Sequence, residues 1–263
     1  MKRRSLISLA AAAASAATAF GPTTALAAGR KTYVLLHGAF HGGWCWAPVA
    51  DLLRAQGHRV FTPTFTGLGE RAHLLNPGID LNTFIRDITA LLEAEELQDV
   101  TLVAHSFGGY VASGVVDRMP GRITSLVHLD APMGANGVSV LGEAPPDVRK
   151  ARLDAAIEVG GTRVIAPPSS TSFGLSDPAQ VAWVNRRMTP MPLATYNTPL
   201  KLEGAPDSKL LRHFIRCTEP ALPNIEPSAR QARETGWRYS ELRTGHDAMV
   251  SMPAEVGRLL LAS

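Results

Sequence analysis

The chain has 263 residues, 45% hydrophobic and 19% charged, enough to bury one sizeable core. Its formal net charge of +3 matches the Lys2, Arg3 and Arg4 of the first 27 residues; without those three, the 26 basic side chains fall level with the 23 acidic ones. That balance excludes recognition of nucleic acid or an anionic membrane by bulk charge, and two cysteines, Cys45 and Cys217, exclude a disulfide scaffold.

Met1-Lys2-Arg3-Arg4, an uncharged run from Ser5 to Ala19 and the small-x-small pattern Ala25-Leu26-Ala27 follow the order of a signal peptide. Arg3-Arg4 also resembles a twin-arginine export signal. Residues 1–27 are therefore expected to direct export, to the periplasm or beyond, and residues 28–263 to form a single domain. After cleavage no apolar stretch is long enough to span a bilayer. Cys45 and Cys217 are expected as free, mostly buried thiols.

Lys31 to Leu36 is predicted as a strand running into the Gly-rich loop His37-Gly38-Ala39-Phe40-His41-Gly42-Gly43. Trp44 to Gln56 has helical spacing and is stopped by Gly57. Arg59 to Pro63 makes a second strand, Thr66 to Arg71 a loop, and Leu81 to Leu97 an amphipathic helix with Phe84, Ile85, Ile88, Leu91 and Leu92 on one face. Val100 to Val103 reads as a buried strand, followed by the turn Ala104-His105-Ser106-Phe107-Gly108-Gly109 and a helix to about Met119. The next strand, Ile123 to Leu129, ends at Asp130. From about 132 to 206 the chain is rich in Pro, Gly and Ser, with helical pieces at Val148 to Val159 and Pro178 to Met188, as expected of a cap insert over a site. Strand Leu210 to Cys217, helix Pro227 to Thr235, strand Trp237 to Leu242 and helix Pro253 to Leu261 complete the alternation. Such alternation implies an α/β fold, a mostly parallel sheet with helices on both faces, whose ligands bind beyond the carboxyl ends of the strands.

The polar residues at those ends carry the chemistry. Strand, sharp turn and helix around Ser106, with small Ala104 and Gly108 two positions either side, is the setting of a nucleophile elbow. A serine hydroxyl needs a base, and His246, in the Gly-containing loop after the last strand, has the place in the chain that the role requires. His37, His41 and His105 are expected to shape the pocket. His37 and His41 lie four apart on a loop with no evident third ligand, so no metal site is predicted. The amides of Ala39 and Phe107 are the natural pair of donors to a developing oxyanion.

His37 to Trp46, the Ser106 turn and the His246 loop together resemble the α/β-hydrolase superfamily. Within it they are similar to the branch holding plant methylesterases, hydroxynitrile lyases and bacterial esterases. The resemblance implies the α/β-hydrolase fold, Ser106 as nucleophile, His246 as base and Ala39 with Phe107 as oxyanion hole. Plant members carry the acid just after the penultimate strand, where this chain reads Thr218-Glu219-Pro220, with Glu219 one position early. Asp130 is the favoured acid and Glu219 the alternative, while Asp247 is expected to point elsewhere. Gly38, Phe40, His105 and Trp183 are expected at the substrate pocket, with Trp44, Trp46, Phe107 and Phe173 as further apolar candidates.

The expected activity is that of a serine carboxylesterase without metal or cofactor, acting through an acyl-enzyme on a small or aromatic ester or a lactone. Lyase chemistry in the relatives uses a threonine and a lysine where this chain has Gly38 and Asp247, and a dehalogenase or epoxide hydrolase would place aspartate at position 106. A binding protein on a hydrolase fold with a weakened triad is the alternative from another class.

Overall fold

The computed structural model of the protein describes residues 29–204 and 209–263, so the segment read as a signal peptide lies outside the described residues. In chain order the first half contains β1 (Thr32–Leu36), α1 (Ala47–Ala55), β2 (Arg59–Phe61), α2 (Leu81–Ala94), β3 (Val100–His105), α3 (Gly108–Arg118) and β4 (Ile123–Leu129). The chain then leaves the sheet for α4 (Val140–Glu143), α5 (Pro146–Asp154), β5 (Ile157–Val159), β6 (Thr162–Ile165), α6 (Pro178–Asn185), β7 (Met191–Pro192) and α7 (Leu193–Asn197). It returns with β8 (Leu211–Cys217), α8 (Glu226–Glu234), β9 (Arg238–Leu242), α9 (Ala248–Ser251) and α10 (Pro253–Leu261). Among the described residues no helix is long and apolar enough to cross a membrane.

Six strands form one parallel sheet in the order β2-β1-β3-β4-β8-β9. The two-residue period of a strand sends alternate side chains to opposite faces, and both faces here are covered. Val34, Leu36, Leu102 and Ala104 join the core beneath α2 and α3, whereas Tyr33, Leu35 and Val103 join the core with α1 and α10. Helix α2 is started by its own sequence: the Asp80 carboxylate accepts from the Thr83 amide while the Asp80 amide donates to the Thr83 hydroxyl oxygen. Its apolar stripe of Phe84, Ile85, Ile88 and Leu92 is fully buried, the main reason a helix of this length is stable.

The register aligns the strand ends that matter. His105 pairs with Leu129, Leu129 with Ile215, and Cys217 with Leu242. The residues that follow β3, β4 and β9 therefore emerge at one edge of the sheet. Close packing locks two of these ends together, since a Cβ on Gly109 would lie 2.1 Å from the Pro132 carbonyl oxygen. Gly109→Ala is expected to force the first turn of α3 away from the end of β4 and destabilise the protein by about 2 kcal/mol, read as a lower urea midpoint.

Two predicted elements differ in outline. The helix expected over Trp44 to Gln56 opens as a 3-10 turn, Gly43–Trp46, and becomes α-helical only at Ala47. The helix expected over Val148 to Val159 stops at Asp154, and Ile157–Val159 is a strand. Gly160 and Gly161, at φ 53° and 76°, form the two-residue turn that pairs β5 with β6, and β7 completes a small antiparallel sheet.

Candidate active site

Ser106 follows β3 at φ 52°, a left-handed backbone that a residue with a side chain adopts only under constraint. Its amide donates to the Leu129 carbonyl at 3.4 Å, and its carbonyl accepts from the Gly109 amide at 2.9 Å. Behind it, a Cβ on Gly38 would stand 2.8 Å from Ser106 Cβ, so only glycine fits there. The Ser106 side chain is thus turned out of the sheet edge into a cavity of about 410 Å³. Of the five non-glycine residues with positive φ among the described residues, Phe40, Ser106 and Asp130 are all found here, a clustering of backbone strain typical of functional sites.

Asp130, at the end of β4, is fully buried and uses both carboxylate oxygens. Oδ1 accepts from Arg216 Nη1 at 2.6 Å and from the Cys217 amide at 3.1 Å. Oδ2 accepts from His246 Nδ1 at 2.6 Å. Burial pushes the Asp130 carboxyl up, but its hydrogen bond to and electrostatic interaction with the His246 ring, the Cys217 amide and Arg216 together hold it below the usual carboxylate range. An ionised Asp130 can only accept, so His246 carries its proton on Nδ1 and keeps the Nε2 lone pair for the cavity, which His246 also lines. Among the described residues no hydrogen bond joins the Ser106 hydroxyl to His246, and such bonds commonly tighten only when substrate is bound.

The amides of Ala39 and Phe107 have no partner among the described residues, and both residues line the cavity. Phe107 stands at the start of α3, where unpaired N–H groups and the helix dipole favour negative charge. Phe40, His105 and Phe173 line the same cavity.

The remaining expected pocket residues are elsewhere. Gly38 lies behind Ser106 rather than in the wall. Trp183 does not line the cavity; it packs edge-on against Trp44, ring centroids 5.0 Å apart, because α6 turns that face to the core beside α1. Trp46 is fully buried in that same core. Glu219 is exposed and paired with Arg243 at 2.9 Å, with no bond to His246. Cys45 and Cys217 are free and buried, and burial pushes both thiols up, away from a reactive thiolate.

The sequence leaves Arg216 and Arg152 without a role, and Asp247 without a partner. Arg216 interrupts the apolar run of β8, which was the available signal for a buried partner. Arg152 reaches the cavity from α5, with its guanidinium 5.5 Å from the centre of the Tyr196 ring. Asp247 does point away from His246, as expected, but towards His41, whose Nε2 is 3.2 Å from its Oδ2.

A profile of the Alpha/beta hydrolase family matches residues 33–259. The chain belongs to this family. It is 40% identical to the carbendazim hydrolyzing esterase of Nocardioides sp. (strain SG-4G), over 88% of this chain and 98% of that one. It is 26% identical to putative methylesterase 11, chloroplastic, of Arabidopsis thaliana, over 86% of this chain and 64% of that one. Among solved structures it is similar in fold to the extracellular alpha/beta-hydrolase from a Paenibacillus species, with a TM-score of 0.72 and 24% identity over 88% of this chain and 98% of that one. This member of the family is a carboxylic ester hydrolase.

Proposed function

We propose that this esterase is a serine hydrolase that works through an acyl-enzyme, with Ser106 as nucleophile, His246 as general base and acid, and Asp130 as the residue that orients the histidine. The observation that carries the reading is the 2.6 Å bond from His246 Nδ1 to the buried Asp130 carboxylate, in a loop that lines the same cavity as the strained Ser106.

Ser106 Oγ attacks the ester carbonyl carbon as its proton passes to His246 Nε2. Charge develops on the carbonyl oxygen, where the Ala39 and Phe107 amides donate to it. Collapse of the tetrahedral intermediate expels the alcohol, which leaves with the proton from His246. Water then attacks the acyl-enzyme by the reverse use of the same groups, and the carboxylic acid departs.

The cavity volume and its rings at Phe40, Phe107, Phe173 and Tyr196 support a small or aromatic ester, or a lactone, as substrate. The test pairs a fluorophosphonate probe with a panel of short-chain, aromatic and lactone esters that includes carbendazim. Rapid labelling at Ser106 together with turnover of aromatic or lactone members is the expected result. Turnover by a folded enzyme that the probe never labels would sink the serine mechanism, and turnover of none of the panel members except long-chain esters added as controls would sink the substrate class.

A further inference from the structure

Beside the proposed triad stands a second histidine and carboxylate whose bonding fixes the position of a proton. His41 Nδ1 is 2.7 Å from the Ala39 carbonyl oxygen, which can only accept, so Nδ1 carries hydrogen. His41 Nε2 is 3.2 Å from Asp247 Oδ2. A neutral ring protonated on Nδ1 would present a lone pair there to a carboxylate that also lacks a proton. One further proton must therefore lie between Nε2 and Oδ2, and the pair as a whole is neutral. Both side chains are buried, which makes any unpaired alternative costly.

The surroundings favour that proton on the ring. His41 stacks on the Trp44 indole with centroids 5.3 Å apart, an arrangement that suits a cation. Two further rings face it, the uncharged Phe173 at 5.7 Å and, edge-on at 6.2 Å, His105. The titratable groups facing the pair are His105, whose Nε2 lies 3.8 Å from Asp247 Oδ1, together with His37, His246 and the buried thiols of Cys45 and Cys217, which burial and the Asp247 charge keep protonated. His105 and His37 have single-proton solutions of their own. His105 Nε2 donates to the His246 carbonyl at 3.0 Å, and His37 gives Nδ1–H to Gly38 O at 2.8 Å while Nε2 accepts the Phe65 amide at 3.1 Å. Burial pushes both of these down to about 3, so they stay neutral. His41 differs: burial opposes its charge, but the charge and hydrogen bond of Asp247 and the Ala39 carbonyl raise it above the ordinary histidine value.

We infer that His41 is a buried imidazolium, held by Asp247, that positions the oxyanion loop through the Ala39 carbonyl. This inference rests on the serine-esterase reading. His41 and Asp247 are positioning residues: they act through Ala39, with no part in taking the Ser106 proton. The second carboxylate explains why a residue directly after the catalytic histidine is buried and charged.

Because its native pKa is raised, His41 stays protonated as the pH climbs past the ordinary histidine value, and turnover is lost only on an alkaline limb where it finally deprotonates. Asp247→Asn is expected to lower kcat about 30- to 100-fold with KM within about twofold, and to move that limb to lower pH. A loss shared equally by KM, or a limb that does not move, would overturn the inference.

Should the variant not fold, nitrogen-15 NMR of the wild-type histidines decides. Both ring nitrogens of His41 are expected to carry protons at pH 7, and a singly protonated His41 overturns the inference. Fluorophosphonate labelling of wild type separates the two levels. An unlabelled wild-type enzyme refutes the serine reading while the NMR still reports on His41. Normal labelling with an Asp247→Asn variant of unchanged kcat and pH limb refutes only the role of the pair.

Discussion

Ser106→Ala is expected to lower kcat for ester hydrolysis by about 10⁴- to 10⁶-fold with KM little changed, and to abolish fluorophosphonate labelling. The size follows from what is removed: without the hydroxyl no acyl-enzyme forms, and only the amides of Ala39 and Phe107 and the cavity walls remain to favour the transition state. The fold should survive, because Ser106 contributes to it through its backbone, and alanine keeps the amide bond to Leu129 and the carbonyl bond to Gly109. Steady-state kinetics on an aryl ester with circular dichroism of the variant checks both halves. A folded Ser106→Ala protein within about tenfold of wild type would mean that another group attacks the ester.

Asp130→Asn is expected to cost about 10⁴-fold in kcat. The reason lies in how the carboxylate is divided. Arg216 and the Cys217 amide both donate to Oδ1, so the amide oxygen of asparagine must take that place. Its NH₂ group then faces His246 Nδ1, where only an acceptor is of use. His246 responds by moving its proton to Nε2, and the lone pair needed to activate Ser106 is gone. The charge on Arg216 also loses its close partner, leaving Glu226 at 3.8 Å, so a stability loss of about 3 kcal/mol should accompany the kinetic one. Glu219→Gln is expected to stay within about twofold of wild type, since its carboxylate forms an exposed pair with Arg243. Measuring both variants by kcat and urea midpoint ranks the two acids; the opposite order would give the role to Glu219.

The parallel sheet and the three loops at its edge were legible because local sequence specifies them. A buried strand followed by small residues around a serine, and a Gly-containing loop carrying His246 after the last strand, are signals a few residues long. Asp130 was legible for the same reason, standing at the end of a clear apolar run. The cap was less so. Val148 to Val159 was read through as one helix although Gly160-Gly161 sits between two short β-prone pieces, because Ile157 and Val159 are exposed and lack the alternation that marks a strand packed on a core. Trp183 was misread for a different reason: a large apolar side chain fits a pocket wall and a helix interface equally well, and only the direction of α6 decides. The contacts of Arg216 and Asp247 depend on segments brought together by the fold, such as β8 against β4 and the His246 loop against the His41 loop, which no local window contains.

In the proposed triad the acid, Asp130, stands at the end of β4, beside the strand that leads to Ser106, instead of after β8. The turn from Thr218 to Ile225 is thereby released from any duty in proton transfer, yet Leu222, Asn224 and Ile225 still form part of the cavity wall. On that reading this part of the cavity wall lies on a piece of chain that carries none of the proposed chemistry. That separation makes the 218–225 turn the natural place to diversify in directed evolution, where exchanges can retune the choice of ester without disarming the enzyme.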